Sequence, residues 1–165
     1  MSLQGQSNGQ ASRSELATNA KSTVATPDAG ILLAINGGSS SIRFALYDGG
    51  EPLRRRLSGK VDRAGLSGTT LTVEDATGRR LDSRTIGSVD RRAAVLALLN
   101  WLETQPAFAS VKAVGHRVVH GLAHSEPELV TPDLIDELRR ITPYDPEHLP
   151  LELELIEVIR QRHPA

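Results

Sequence analysis

The segment Ile31–Asp48 constrains this chain more than any other. Two apolar runs, Ile31–Ile35 and Ile42–Tyr47, flank Asn36-Gly37-Gly38-Ser39-Ser40-Ser41. An Asn-Gly between strand-like runs is a strong hairpin signal, with the turn expected over Asn36–Ser41. The residues after it are all small, and Ser39, Ser40 and Ser41 bring hydroxyl donors. That is more donor capacity than a turn needs. Small side chains let backbone N–H groups approach an anion, and the hydroxyls add to them. On spacing alone an ordinary surface hairpin describes the segment fully. A phosphate cradle is the alternative that the hydroxyls open. The segment matches neither a Walker loop nor Gly-x-Gly-x-x-Gly.

Patterning predicts the rest of the architecture. Further strands are expected at Leu53–Val61, Thr69–Glu74, Leu81–Ile86 and Val111–Val119, with a turn at Asp75–Gly78. Asp90–Thr104 carries a broad apolar helical face, with Ser88 as its expected N-cap. Thr131 and Pro132 open a short helix to Arg140. Leu149–Arg162 starts with strand-like Leu-Glu alternation, but its length and Glu content favour a helix. Leu151, Leu155, Ile156 and Ile159 are then its apolar face. Strands first, then helices and a further strand, argue for a mixed α/β domain. Residues 1–30 are rich in Ser, Ala, Gln, Asn and Gly, lack apolar period, and read as a disordered tail.

His116, His120 and His124 recur every fourth residue, which on a helix would make a zinc-like face. Val118-Val119 and the nearby glycines favour strand and loop instead. Arg117 also stands where a His-Glu-x-x-His motif needs its Glu. His116 and His120 read rather as hydrogen-bonding residues that orient Arg117 and its loop. Arg117 on spacing alone reads as a structural ion-pair residue. Glu126, Glu128, Asp133, Asp136 and Glu147 fit helix surfaces and caps, while Asp145 is a candidate to face a site.

Charge narrows the partners. The 165 residues carry a net charge of -1, and Arg54–Arg56, Arg79-Arg80 and Arg91-Arg92 read as solvated faces. That balance, with 3% aromatic residues, gives no case for nucleic acid. No apolar run reaches the roughly 18 residues of a membrane span, and no secretory leader pattern opens the chain. Cysteine is absent, which excludes disulfides and thiolate metal sites and fits a reducing, cytoplasmic compartment.

Two blocks carry a family resemblance. Ile35-Asn-Gly-Gly-Ser-Ser-Ser-Ile-Arg-Phe44 resembles the N-terminal Asn-Ala-Gly-Ser-Ser-Ser-Leu-Lys-Phe signature of acetate kinases. Ala113-Val-Gly-His-Arg-Val-Val-His-Gly121 resembles that family's Gly-His-Arg-Val-Val-His-Gly block, in the family's order and at about its separation. The resemblance runs from Ile31 to Ala165. It implies the α/β, ribonuclease H-like and actin-like ATPase fold of sugar kinases, heat-shock ATPases and actin, here as a partial N-terminal domain. The implied reaction is transfer of the ATP γ-phosphoryl group to acetate, giving acetyl phosphate, with Mg²⁺.

Carried over, Asn36 looks like the residue that helps hold Mg²⁺. Ser39 and Ser41 look like phosphate-turn contacts, and Arg43 stands where the family has a Lys near ATP. Arg117 looks like the acceptor-binding arginine, and Val119 like a wall of the acyl pocket. Arg for Lys replaces a point charge with a planar fork. The family's Ala-Pro-Leu-His-Asn-Pro segment has become Thr142-Pro-Tyr-Asp-Pro-Glu-His-Leu-Pro150, which leaves propionate beside acetate as the acceptor.

The family's catalytic Asp, its transition-state His and Arg, its second phosphate loop and its adenosine motif are expected beyond Ala165. The chain alone is therefore expected to be a poor catalyst, because catalysis needs groups converging from both domains. The resemblance also implies a homodimer in the complete enzyme. A truncated, non-catalytic phosphate-binding or interaction module is the alternative. An edge strand left unpaired favours self-association.

Overall fold

The computed structural model describes residues 30–163, so the tail expected over residues 1–30 lies, but for Gly30, outside them. Strands β1 (Ile31–Gly37), β2 (Ser41–Asp48), β3 (Arg54–Asp62), β4 (Thr69–Asp75) and β5 (Arg80–Gly87) form an antiparallel meander. Helix α1 (Arg91–Glu103) then leads to β6 (Val111–His116), which pairs parallel to β1. The sheet order is β5-β4-β3-β2-β1-β6. Helices α2 (Pro132–Ile141) and α3 (Leu149–Arg162) follow.

Period-two alternation sends Ile31, Leu33 and Ile35 of β1, and Ile42, Phe44 and Leu46 of β2, to one face. There they meet α1 and α3 in the main core, with Leu98, Leu99 and Leu102 fully buried. Phe44 and Trp101 touch with ring centroids 5.9 Å apart, and the Trp101 indole donates to Asp82 at 2.8 Å. Gly59 makes room for this contact: a Cβ there would stand 2.4 Å from Cζ of Phe44. Helix α2 packs on α3 in a smaller cluster of Ile135, Leu138, Leu149, Leu153 and Ile156.

Four expectations are corrected by the structure. Strand β1 runs two residues past the expected Ile35, with Asn36 and Gly37 paired to Arg43 and Ile42; the reversal stays within the expected turn, at Ser39 and Ser40, closed by Gly38 N–H on Ser41 O at 2.8 Å. Helix α1 is capped by Asp90, whose carboxylate accepts from Ala93 N at 2.7 Å, not by Ser88. A carboxylate at that position also complements the positive helix terminus. Strand β6 stops at His116 and does not reach Val119. Arg117 N still donates to Ile35 O at 3.1 Å, but the Val119 N–H is taken by a side chain of α3. Finally, α3 is fully helical, and its buried face includes Glu152 in place of the half-buried Leu151.

Thr131 caps α2 as expected, accepting from Leu134 N at 3.1 Å. Among the described residues no helix is long and apolar enough to cross a membrane.

Candidate functional site

The alternation that buries one face of β1 and β2 exposes the other. That face carries Ala34 and Asn36 from β1, Arg43 and Ala45 from β2, and Gly115 of β6 with Arg117 just beyond it. Together they line an open cleft of about 400 Å³. Its floor is small-chained: nothing stands within 4 Å of where a Cβ on Gly115 would project. Asn36 is the register partner of Arg43, and Ile35 that of His116. Asn36 therefore lies between a cation on β2 and a cation beyond β6. The structure thus brings together Asn36, Arg43 and Arg117; the Ser39–Ser41 turn begins three residues after Asn36, and neither its serines nor Val119 line the cleft.

The polar atoms here are not used up by the fold. Oδ1 of Asn36 is buried without a hydrogen-bond partner among the described residues. Among the described residues neither Arg43 nor Arg117 makes an ion pair, so Arg117 is not the structural salt-bridge residue its spacing allowed. The turn is held by its carbonyls: Ser40 O accepts from Ala64 N at 3.0 Å and Ser39 O from Arg91 at 3.4 Å. Among the described residues no internal acceptor takes the N–H of Ser39 or Ser40, and both residues are exposed. Carbonyls held behind and N–H groups free in front describe an anion-binding concavity.

His116 points to the core face, where its Nδ1 is buried and unpartnered. Burial pushes its pKa down to about 4, so the ring is neutral near pH 7. It makes no hydrogen bond to Arg117, and neither does His120. That corrects the expectation that these two rings orient the arginine. His120 Nδ1 donates to the Asp145 carboxylate at 2.9 Å and His124 pairs with Glu128 at 2.7 Å, so the three histidines share no centre. No cluster of metal-ligating side chains occurs among the described residues.

The loop that carries Arg117 and Val119 is instead anchored to α3. Glu152, only 1% exposed, takes the Val119 N–H at 3.1 and 3.2 Å. Burial raises its pKa, opposed first by that N–H. Asp145 binds His148 Nδ1 at 2.9 Å as well as His120. His148, and after it His120, hold the Asp145 carboxyl below its ordinary value, and Asp145 in turn raises His148. Asp145 thus faces the loop and the start of α3, not the cleft. Sequence reasoning missed Glu152 and Arg91. The Leu-Glu alternation hid the first. An arginine pair that reads as a solvated surface hid the second, whose side chain is half-buried behind the turn.

A five-stranded meander with a parallel sixth strand, backed by helices on one face, is the α/β architecture of the actin-like ATPase fold. Residues 31–165 match the profile of the Acetokinase family. The chain belongs to that family, a family of phosphotransferases. It is 39% identical over 135 residues to an acetate kinase of Deinococcus radiodurans, covering 80% of this chain and 33% of that protein. It is 35% identical over 140 residues to a propionate kinase of Escherichia fergusonii, covering 81% and 33%. The crystal structure of Porphyromonas gingivalis acetate kinase superposes with a TM-score of 0.73 at 26% identity, covering 83% of this chain and 35% of that one. A propionate kinase from Francisella tularensis gives the same TM-score at 22% identity, over 82% and 34%. The chain spans about a third of the length of the curated relatives it matches.

Proposed function

We propose that residues 31–165 are the N-terminal, acceptor-gripping part of a kinase that phosphorylates acetate or propionate at the expense of ATP. One observation carries this reading. Arg43 and Arg117, both without ion pairs among the described residues, line the same cleft as an amide oxygen that those residues leave unsatisfied, on an open floor of small residues. Unpaired guanidinium groups beside a small cleft suit carboxylate and phosphoryl oxygens, which they bind bidentately.

In the proposed reaction a carboxylate oxygen of the acceptor attacks the γ-phosphorus of ATP. The new P–O bond forms as the bond to the β-phosphate bridging oxygen breaks, and ADP leaves with that electron pair; no proton need move. Arg117 neutralises the acceptor carboxylate so that two anions can approach, and later stabilises the charge on the migrating group. Val119, 36% exposed, is the wall that limits acyl length. Ser39 and Ser41 with the turn N–H groups bind phosphate oxygens, and Arg43 adds charge on the nucleotide side. Asn36 fits Mg²⁺: its buried amide oxygen lacks a donor, and the metal, which keeps waters and phosphate ligands, needs few protein groups. When bound, Mg²⁺ neutralises phosphate charge. The cytoplasmic location and homodimer implied by the resemblance belong to this proposal.

The test is trapping of acyl phosphate with hydroxylamine, using the protein at its native length from its own cells. ATP-dependent hydroxamate from acetate or propionate, lost in Arg117→Ala, is expected. No hydroxamate from either acid, or unchanged kinetics in Arg117→Ala, overturns the reading.

A further inference from the structure

We propose that Arg91 is the cation that charges the Gly38–Ser41 turn from behind and thereby sets its affinity for phosphate. This rests on the phosphate-turn reading above and adds a residue that no sequence motif marks.

Arg91 opens α1 and reaches back under the hairpin. Its Nη1 donates to the carbonyl of Ser39 at 3.4 Å. Its Nη2 stands 3.1 Å from where a Cβ on Gly37 would be, so the guanidinium lies beneath the last residue of β1 and any larger side chain there would displace it. Nε and Nη2 are both buried without a partner among the described residues. Glu154 and Glu152 attract it through space, but it forms no ion pair among the described residues.

For stability alone this is an unfavourable placement, for three reasons. A half-buried cation loses part of its hydration, and two of its buried donors recover no hydrogen bond among the described residues. It also occupies the first turn of a helix, where the backbone dipole is already positive and the Asp90 cap, which accepts from Ala93 N, is the one carboxylate at that end. An anion bound in the turn offsets the first and third through its charge, while the two unpaired donors stay unpaired. The ligand meets the N–H groups and hydroxyls of Ser39–Ser41 in front, while Arg91 grips the Ser39 carbonyl and supplies positive potential across a region of low dielectric. Arg91 is therefore a positioning residue and does not itself touch the ligand.

The account predicts opposite movements of stability and affinity, which a purely structural role does not. Wild type, Arg91→Lys and Arg91→Gln are compared as full chains by calorimetric titration with Mg²⁺-tripolyphosphate and by thermal melting. Arg91→Gln is expected to bind about tenfold more weakly, the scale of one charge near a partly shielded anion, while melting no lower than wild type. Arg91→Lys, which keeps the charge, is expected to recover most of the affinity. Unchanged affinity in Arg91→Gln overturns the proposal while leaving the phosphate-turn reading intact. A misfolded or less stable Arg91→Gln, or an Arg91→Lys no better than Arg91→Gln, assigns the residue to structure and also overturns it. Failure of wild type to bind tripolyphosphate overturns the phosphate-turn reading, and this inference with it.

Discussion

Both carboxylate oxygens of Glu152 lie within hydrogen-bond distance of the backbone nitrogen of Val119, at 3.1 and 3.2 Å. One buried side chain of α3 thus ends β6 and fixes the loop that follows Arg117. Replacing it with Leu leaves the Val119 N–H without an acceptor, at a cost of about 1–3 kcal/mol. Glu152→Gln keeps one acceptor oxygen. Chemical denaturation should therefore show Glu152→Leu clearly destabilised and Glu152→Gln close to wild type. Acetyl phosphate affinity should follow the same order. Equal stability in all three would mean that Glu152 does not hold the loop.

The Asp145–His148 pair makes a second anchor, and it depends on pH. The folded pKa of His148 is raised, so its contribution is complete below its ordinary value of 6.5 and is lost as pH rises through the folded value. That of Asp145 is lowered, so its contribution is present above its ordinary value of 3.8 and is lost as acid passes the folded value. The difference in melting temperature between wild type and His148→Gln should be largest between those two ordinary values and should shrink in mild alkali. A difference that grows with pH would contradict the assignment.

Asn36→Ala separates fold from ligand. Its Oδ1 has no partner to lose, so removing it relieves an unsatisfied group and stability should hold. Titrations with tripolyphosphate, with and without Mg²⁺, should show that the metal no longer strengthens binding. An undiminished Mg²⁺ effect would place the cation elsewhere.

Gly59→Ala tests the core. The added methyl would stand 2.4 Å from Cζ of Phe44 and 2.7 Å from the carbonyl of Thr72. Backbone on one side and a packed ring on the other leave little room to yield. The expected loss is about 1–3 kcal/mol, seen as a lower denaturation midpoint with an unchanged slope. An unshifted midpoint would show that the Phe44–Trp101 contact is looser than drawn.

How much of this was legible in the sequence depended on how local the cause was. The hairpin strands followed from their own alternation, and α2 from the Thr131-Pro132 cap. The residues of the cleft were marked by two signature blocks, and the register of β1 with β2 and β6 brings them to one face. The misreadings share a different origin. Val111–Val119 is strand-like throughout, yet β6 ends early because Glu152, 33 residues downstream, takes a donor of its backbone. Arg91 resembles its exposed neighbour Arg92 in sequence, and only the path of α1 beneath the hairpin buries it. Asn36-Gly37 has turn composition, but pairing with Arg43 and Ile42 carries the strand past it.

The most direct test of the central claim is an amide NMR titration of the chain with acetyl phosphate, beside the same titration of Arg117→Ala. The account predicts saturable shifts confined to Asn36, the Ser39–Ser41 turn, Gly115 and Arg117. It predicts at least about tenfold weaker binding in the variant, the scale of one charge-assisted bidentate contact. Saturable shifts elsewhere on the molecule, no saturation, or equal affinity in Arg117→Ala would contradict it.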